Sequence, residues 1–101
     1  MKKIFICCVS GISTSMVVKK MMQAARERGI DIKVVAVRID MFDSNLPHFD
    51  GCLLGPQVKS KFDECKKKGN ELGKPVEVID STDYGMMNGN KILNQALAMF
   101  D

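Results

Sequence analysis

Four short apolar runs, separated by turn signals and amphipathic stretches, constrain this chain more than any other feature. They cover residues 3–7, 32–37, 51–54 and 76–79. A continuous apolar run of this length suits a strand covered on both faces, because alternate side chains point to opposite sides and neither side reaches water. Between the first two runs, Val17, Met21, Ala24 and Ala25 recur at helical spacing over 13–28, and Gly29 stops that helix. Between the third and fourth, Gly55-Pro56 ends the strand and Val58, Phe62, Cys65, Gly69 and Leu72 share a helical face. Glycine inside a helix costs up to ~1 kcal/mol relative to alanine, so this helix is expected to end at Gly69. Residues 80–89 are polar and turn-rich, and Asn88 is the expected cap of a last helix with Ile92, Leu93, Ala96, Leu97 and Phe100 inward. Residues 38–49 are the least regular, with a short helix expected over 40–45.

Strands alternating with helices predict an α/β fold, an open four-stranded parallel sheet with helices on both faces. The 101 residues fit a single domain spanning 1–101. In open sheets of this kind ligands bind beyond the carboxyl ends of the strands. Residues 8–15, 55–58 and 80–85 are therefore expected to converge on one edge.

Composition removes several functions. No apolar run approaches the ~20 residues that cross a bilayer, and the start of the chain lacks the long apolar stretch of a signal peptide. A cytoplasmic protein without membrane insertion is expected. A formal net charge of +3 is mild, and no basic stripe interleaves with aromatics, so nucleic acid is not an expected partner. The run Lys66-Lys67-Lys68 reads as a solvated helix face. Cys7, Cys8, Cys52 and Cys65 contain no C-x-x-C pair and the chain has one His, so neither a metal nor another cofactor is expected. In a reducing compartment these thiols stay free. Cys52 and Cys65 fall at apolar positions of a strand and a helix, where a thiol behaves as a small hydrophobe.

Cys8 differs because of its position at the head of a polar loop. Cys8-Val9-Ser10-Gly11-Ile12-Ser13-Thr14-Ser15 joins an apolar strand to an amphipathic helix. Unpaired N–H groups of such a turn, together with the positive end of the helix dipole, form a seat for an anion. Gly11 allows the close turn, and four hydroxyl side chains add donors or caps. A helix N-terminus favours the thiolate, the nucleophilic form. A thiolate set against a bound phosphate can take the phosphoryl group covalently. Preorganised N–H donors then meet the charge on the equatorial oxygens without a metal.

The loop 8–15 resembles the Cys-x-x-Gly-Met-Ser-Thr-Ser loop of IIB components of bacterial sugar phosphotransferase systems, of the lactose/cellobiose/chitobiose type. The strings Leu-Leu-Gly-Pro-Gln-Val at 53–58 and Lys-Pro-Val-Glu-Val-Ile-Asp at 74–80, followed by Tyr84-Gly85, are also similar to that family, and the likeness runs from Lys3 to Phe100. The resemblance implies that Cys8 accepts a phosphoryl group from a phosphohistidine of a IIA component. It implies that Cys8 then delivers the group to a sugar bound by a membrane IIC component, a β-linked disaccharide such as cellobiose, chitobiose or lactose. Val9, Ser10, Gly11, Ile12, Ser13, Thr14 and Ser15 take the place of the family's phosphate-binding loop, with Ile12 where methionine is usual. Gln57 and Tyr84, on neighbouring loops, have polar ends that could contact the phosphate or a partner. Cys7 is expected to alternate away into the strand core. His48 is expected to be an ordinary loop residue, since the family's phosphohistidine belongs to the partner.

Two other functions fit parts of the pattern. Low-molecular-weight phosphotyrosine phosphatases also place a cysteine in a strand-to-helix loop, but they need an arginine six positions later and an Asp-Pro pair for the general acid. Here Thr14 takes the arginine's place, and the prolines follow Leu46, Gly55 and Lys74. A carrier must keep its phosphocysteine until the acceptor arrives, which the missing arginine and acid suit. A flavin-binding scaffold would need aromatic walls, and the chain has one Tyr and no Trp.

Overall fold

The computed structural model describes residues 1–9 and 12–100, with the side chains of Ile12 and Ser13 set aside. The expected loop residues Ser10 and Gly11 therefore lie outside the described residues. Strand β1 (Lys2–Cys8) leads into helix α1 (Ile12–Glu27) and returns as β2 (Ile32–Arg38). Short helix α2 (Phe42–Asn45), flanked by 3-10 turns Ile39–Met41 and Leu46–His48, precedes β3 (Gly51–Leu54). A 3-10 segment (Pro56–Lys61) and α3 (Phe62–Leu72) lead to β4 (Val76–Val78), followed by α4 (Ser81–Gly85) and α5 (Gly89–Ala98). The four strands are parallel in the order β2-β1-β3-β4. From β1 the chain crosses to β2, and from β3 it crosses the other way to β4. The divergence between β1 and β3 is a topological switch point, where the crevice beyond the strand ends opens.

The strand pleat divides the core. Ile4 and Ile6 of β1 and Leu53 of β3 face α1 and α5, meeting Val17, Met21, Ile92 and Leu93. Phe5 and Cys7 face the opposite layer with Cys52, Leu54, Phe42 and Cys65. Phe5 is central there, its ring 5.7 Å from that of Phe42 and 5.1 Å from that of Phe49. Helices cover both faces, as the buried apolar runs of the central strands β1 and β3 require.

The amino-terminal edge of the sheet is closed by charged groups. The Lys74 ammonium donates to the carbonyls of Leu46, Pro47 and Phe49 at 3.1, 3.0 and 2.6 Å. Asp50 takes the N–H of Lys3 at 2.7 Å and returns its own N–H to the Lys3 carbonyl at 2.7 Å.

Three expectations are corrected. The helix expected to end at Gly69 runs on to Leu72 and is closed by Gly73 in the left-handed conformation, φ 68°. A Cβ on Gly69 would stand 2.6 Å from both the Lys74 carbonyl oxygen and Val76 Cγ2. The glycine lets α3 lie against β4, and that contact outweighs its poor helix propensity. The same helix starts at Phe62 and not near Val58, whose φ of −116° and ψ of 21° break the turn Pro56–Lys61. Within 80–89 the chain forms α4 rather than only turns. The Asp80 carboxylate caps α4 by accepting the N–H groups of Thr82 and Asp83 at 2.9 and 3.0 Å. Asn88 caps α5 as expected, accepting from Lys91 N–H at 3.1 Å.

Candidate functional site

Cys8 is the last residue of β1, buried, with its side chain on the α1 side by the strand alternation that puts Ile4 and Ile6 there. Its thiol lies 3.8 Å from the carbonyl oxygen of Val37 on β2, a weak S–H donation. Cys7 points to the other face, where its sulfur is 3.9 Å from that of Cys52. The pleat thus separates two consecutive thiols, and Cys7 belongs to the core as expected. Burial, then the contact with Cys7, raises the Cys52 thiol well above its ordinary range. Burial likewise pushes Cys65 up to about 11, so both remain thiols near neutrality.

Beyond Cys8, Val9 is exposed and α1 begins at Ile12. The first turn of α1 contains Ser13, Thr14 and Ser15 and no acid, so its own side chains leave the positive end of the dipole without a carboxylate. Ser15 is exposed. Thr14 is fully buried, and its hydroxyl is 2.7 Å from the hydroxyl of Tyr84. The Gln57 amide donates to that same Tyr84 oxygen at 3.2 Å. Three loops that follow three different strands therefore meet at one phenolic oxygen. Gly55 allows the meeting: a Cβ there would lie 2.6 Å from Gln57 Oε1 and 3.7 Å from Tyr84 Cε1. Its N–H also donates to the Cys7 carbonyl at 2.9 Å, fixing the β3 loop to β1 one residue before Cys8.

The structure thus brings Cys8, Thr14, Gln57 and Tyr84 to the carboxyl edge of the sheet, as the expected topology requires. It turns the polar ends of Gln57 and Tyr84 towards each other and Thr14. Arg38 pairs with Cys8 in the β1–β2 register, and Asp40 binds its guanidinium through both oxygens at 3.2 and 3.0 Å. His48 precedes β3 at the opposite edge, two residues before the Asp50–Lys3 contact. A cleft of about 370 Å³ lined by Phe42, Lys61, Cys65 and Lys68, among others, contains none of the expected site residues. Among the described residues, no group of three or more His, Cys, Asp or Glu could hold a metal ion. No helix among them is long and apolar enough to cross a membrane. The Thr14–Tyr84 bond escaped sequence reasoning, which grouped Thr14 with the other hydroxyls. Helix α4, which delivers Tyr84, had a signal in Asp80-Ser81-Thr82-Asp83, an N-cap residue followed by an acidic first turn.

Residues 3–95 match the family model for the PTS system, lactose/cellobiose specific IIB subunit, and the chain belongs to that family. It is 42% identical over 100 residues to the PTS system galactose-specific EIIB component of Lactococcus lactis subsp. cremoris, covering 94% of this chain and 93% of that one. It is 38% identical over 99 residues to the oligo-beta-mannoside-specific EIIB component of Bacillus subtilis, covering 98% and 96%. A lactose-specific EIICB component of Lactococcus lactis subsp. lactis is 27% identical over 81 residues, covering 80% of this chain and 14% of that protein. The solution structure of a cellobiose-specific phosphotransferase IIB component from Borrelia burgdorferi superposes with a TM-score of 0.81 at 31% identity, covering 98% and 91%. The chain is therefore a IIB component of a sugar-specific phosphotransferase system.

Proposed function

We propose that the chain is a cytoplasmic phosphoryl carrier that uses Cys8 as its nucleophile and residues 9–15 as the phosphate seat. The observation that carries this reading is the position of Cys8, at the end of β1 and just before the acid-free N-terminus of α1. To react, the thiol gives up its proton and turns from the Val37 carbonyl, which a thiolate cannot donate to and which repels it. The sulfur then attacks the phosphorus of a phosphohistidine on a IIA component. An S–P bond forms, the N–P bond breaks, and the electron pair returns to the imidazole nitrogen, which takes up the proton released by the thiol. In the second step a sugar hydroxyl attacks phosphorus, the S–P bond breaks, and the thiolate leaves while the hydroxyl proton passes to a base on the acceptor side.

The EIICB relative supports a IIC component as that acceptor. The names of the relatives, specific for oligo-beta-mannoside, cellobiose and galactose, support a β-linked disaccharide or oligosaccharide, or galactose, as the sugar. Val9 and Met86, 63% and 72% exposed on the loops after β1 and β4, offer apolar surface for docking partners. Arg38 is engaged by Asp40 and Thr14 replaces the clamping arginine of a phosphatase, which favours holding the phosphoryl group over hydrolysing it. The test is transfer of labelled phosphate from phosphoenolpyruvate through purified upstream carriers. Label is expected on Cys8 and absent from Cys8→Ser; label that persists in Cys8→Ser refutes the assignment.

A further inference from the structure

We infer that Tyr84 is a positioning residue for phosphoryl transfer, holding the first turn of α1 through Thr14 rather than touching the phosphoryl group itself. The inference rests on the assignment of Cys8 as the phosphoryl carrier. Tyr84 is 6% exposed and Thr14 is fully buried, so their hydroxyls meet inside the protein. The bond of 2.7 Å joins residues 70 apart in sequence. Thr14 lies on α1, the helix whose N-terminal N–H groups face the anion seat. Any rotation of that first turn redirects those donors, and misplaced donors lose most of their value in a transition state.

The helix that carries Tyr84 is anchored at its start by hydrogen bonds. Asp80 fixes the start of α4 with two backbone N–H bonds, and the Ile79 N–H continues the sheet ladder to the Leu54 carbonyl at 2.9 Å. Gln57 donates to the phenolic oxygen from the β3 loop, and a phenol can accept one such bond while its own proton serves another partner. The phenolic oxygen thereby ties the helix bearing the anion seat to the loops after β3 and β4.

Single-turnover transfer from the phosphorylated IIA component to Cys8, followed over donor concentration, tests this. Tyr84→Phe removes one oxygen and keeps the ring. The maximal rate is expected to fall about tenfold, the scale of one neutral hydrogen bond lost in the transition state, with unchanged half-saturation. Thr14→Val is expected to show the same loss, and the double variant no more. A wild-type rate in Tyr84→Phe, losses that multiply in the double variant, or a change confined to half-saturation would overturn the inference. The Cys8→Ser control keeps the two failures apart. Label retained there refutes the carrier assignment, whereas label lost there with Tyr84→Phe at full rate refutes only the role of Tyr84.

Discussion

At the amino-terminal edge of the sheet, the Lys74 ammonium holds three carbonyls and the Asp50 carboxylate holds the N–H of Lys3. At the carboxyl-terminal edge, Thr14, Gln57 and Tyr84 meet through two hydroxyls and an amide. Near that edge Arg38 is paired with Asp40, and the Asp80 carboxylate with the backbone of α4. Charge-assisted bonds are about twice as strong as neutral ones and suit a corner that only has to stay shut. If Cys8 carries a phosphoryl group as proposed, a free cation beside the dianion would deepen the well that must later be left, and a free anion would repel the incoming group. Neutral dipoles fix geometry without adding either field. Under the proposed carrier role, the difference between the edges separates stability from chemistry.

The sharpest way to break the comparison is Lys74→Met. Leaving the partly buried carbonyls of Leu46 and Phe49 without their donor is expected to cost about 1–3 kcal/mol in urea denaturation, the exposed Pro47 carbonyl being met by water. The folded fraction should still phosphorylate Cys8 at the wild-type rate; a transfer defect in fully folded protein would show that the two edges are coupled. Asp80→Ala tests the other edge. Loss of the α4 cap is expected to cost about 1 kcal/mol and to slow transfer to Cys8 as well, because α4 carries Tyr84. Unchanged transfer would separate the cap from the site. The smallest effect concerns pH. The Cys65 thiol is raised from 9.0 to about 11 in the fold, so between those values the unfolded chain loses a proton that the native chain keeps. Stability should therefore fall as pH rises through that window, and Cys65→Val should flatten the fall. An identical alkaline profile in the variant would remove Cys65 from the account.

Much of the fold was legible in the sequence because it rests on local rules. Apolar runs announced all four strands, Gly29 and Asn88 marked helix ends, and the Cys8 junction stood out from its neighbours. Gly69 misled because its value lies in a contact with Val76, seven residues on, which propensity does not register. Helix α4 was hidden by its five-residue length and polar content, although Asp80 announced it. The Thr14–Tyr84 bond depends on two loops brought together only by the strand order. The distribution of Cys7 and Cys8 to opposite faces came directly from the two-residue period of a strand, the simplest rule of all.

The three bonds of Lys74 also govern its reactivity. All three ammonium N–H groups are committed to carbonyl oxygens, so the nitrogen can lose a proton and meet an electrophile only by giving up one of those bonds while the corner at 46–49 is closed. Acylating reagents that mark surface lysines in seconds should reach this one only when that corner opens. Its modification rate then becomes a clock for local breathing of the sheet's far edge, readable by mass spectrometry without perturbing the cysteine at the near one.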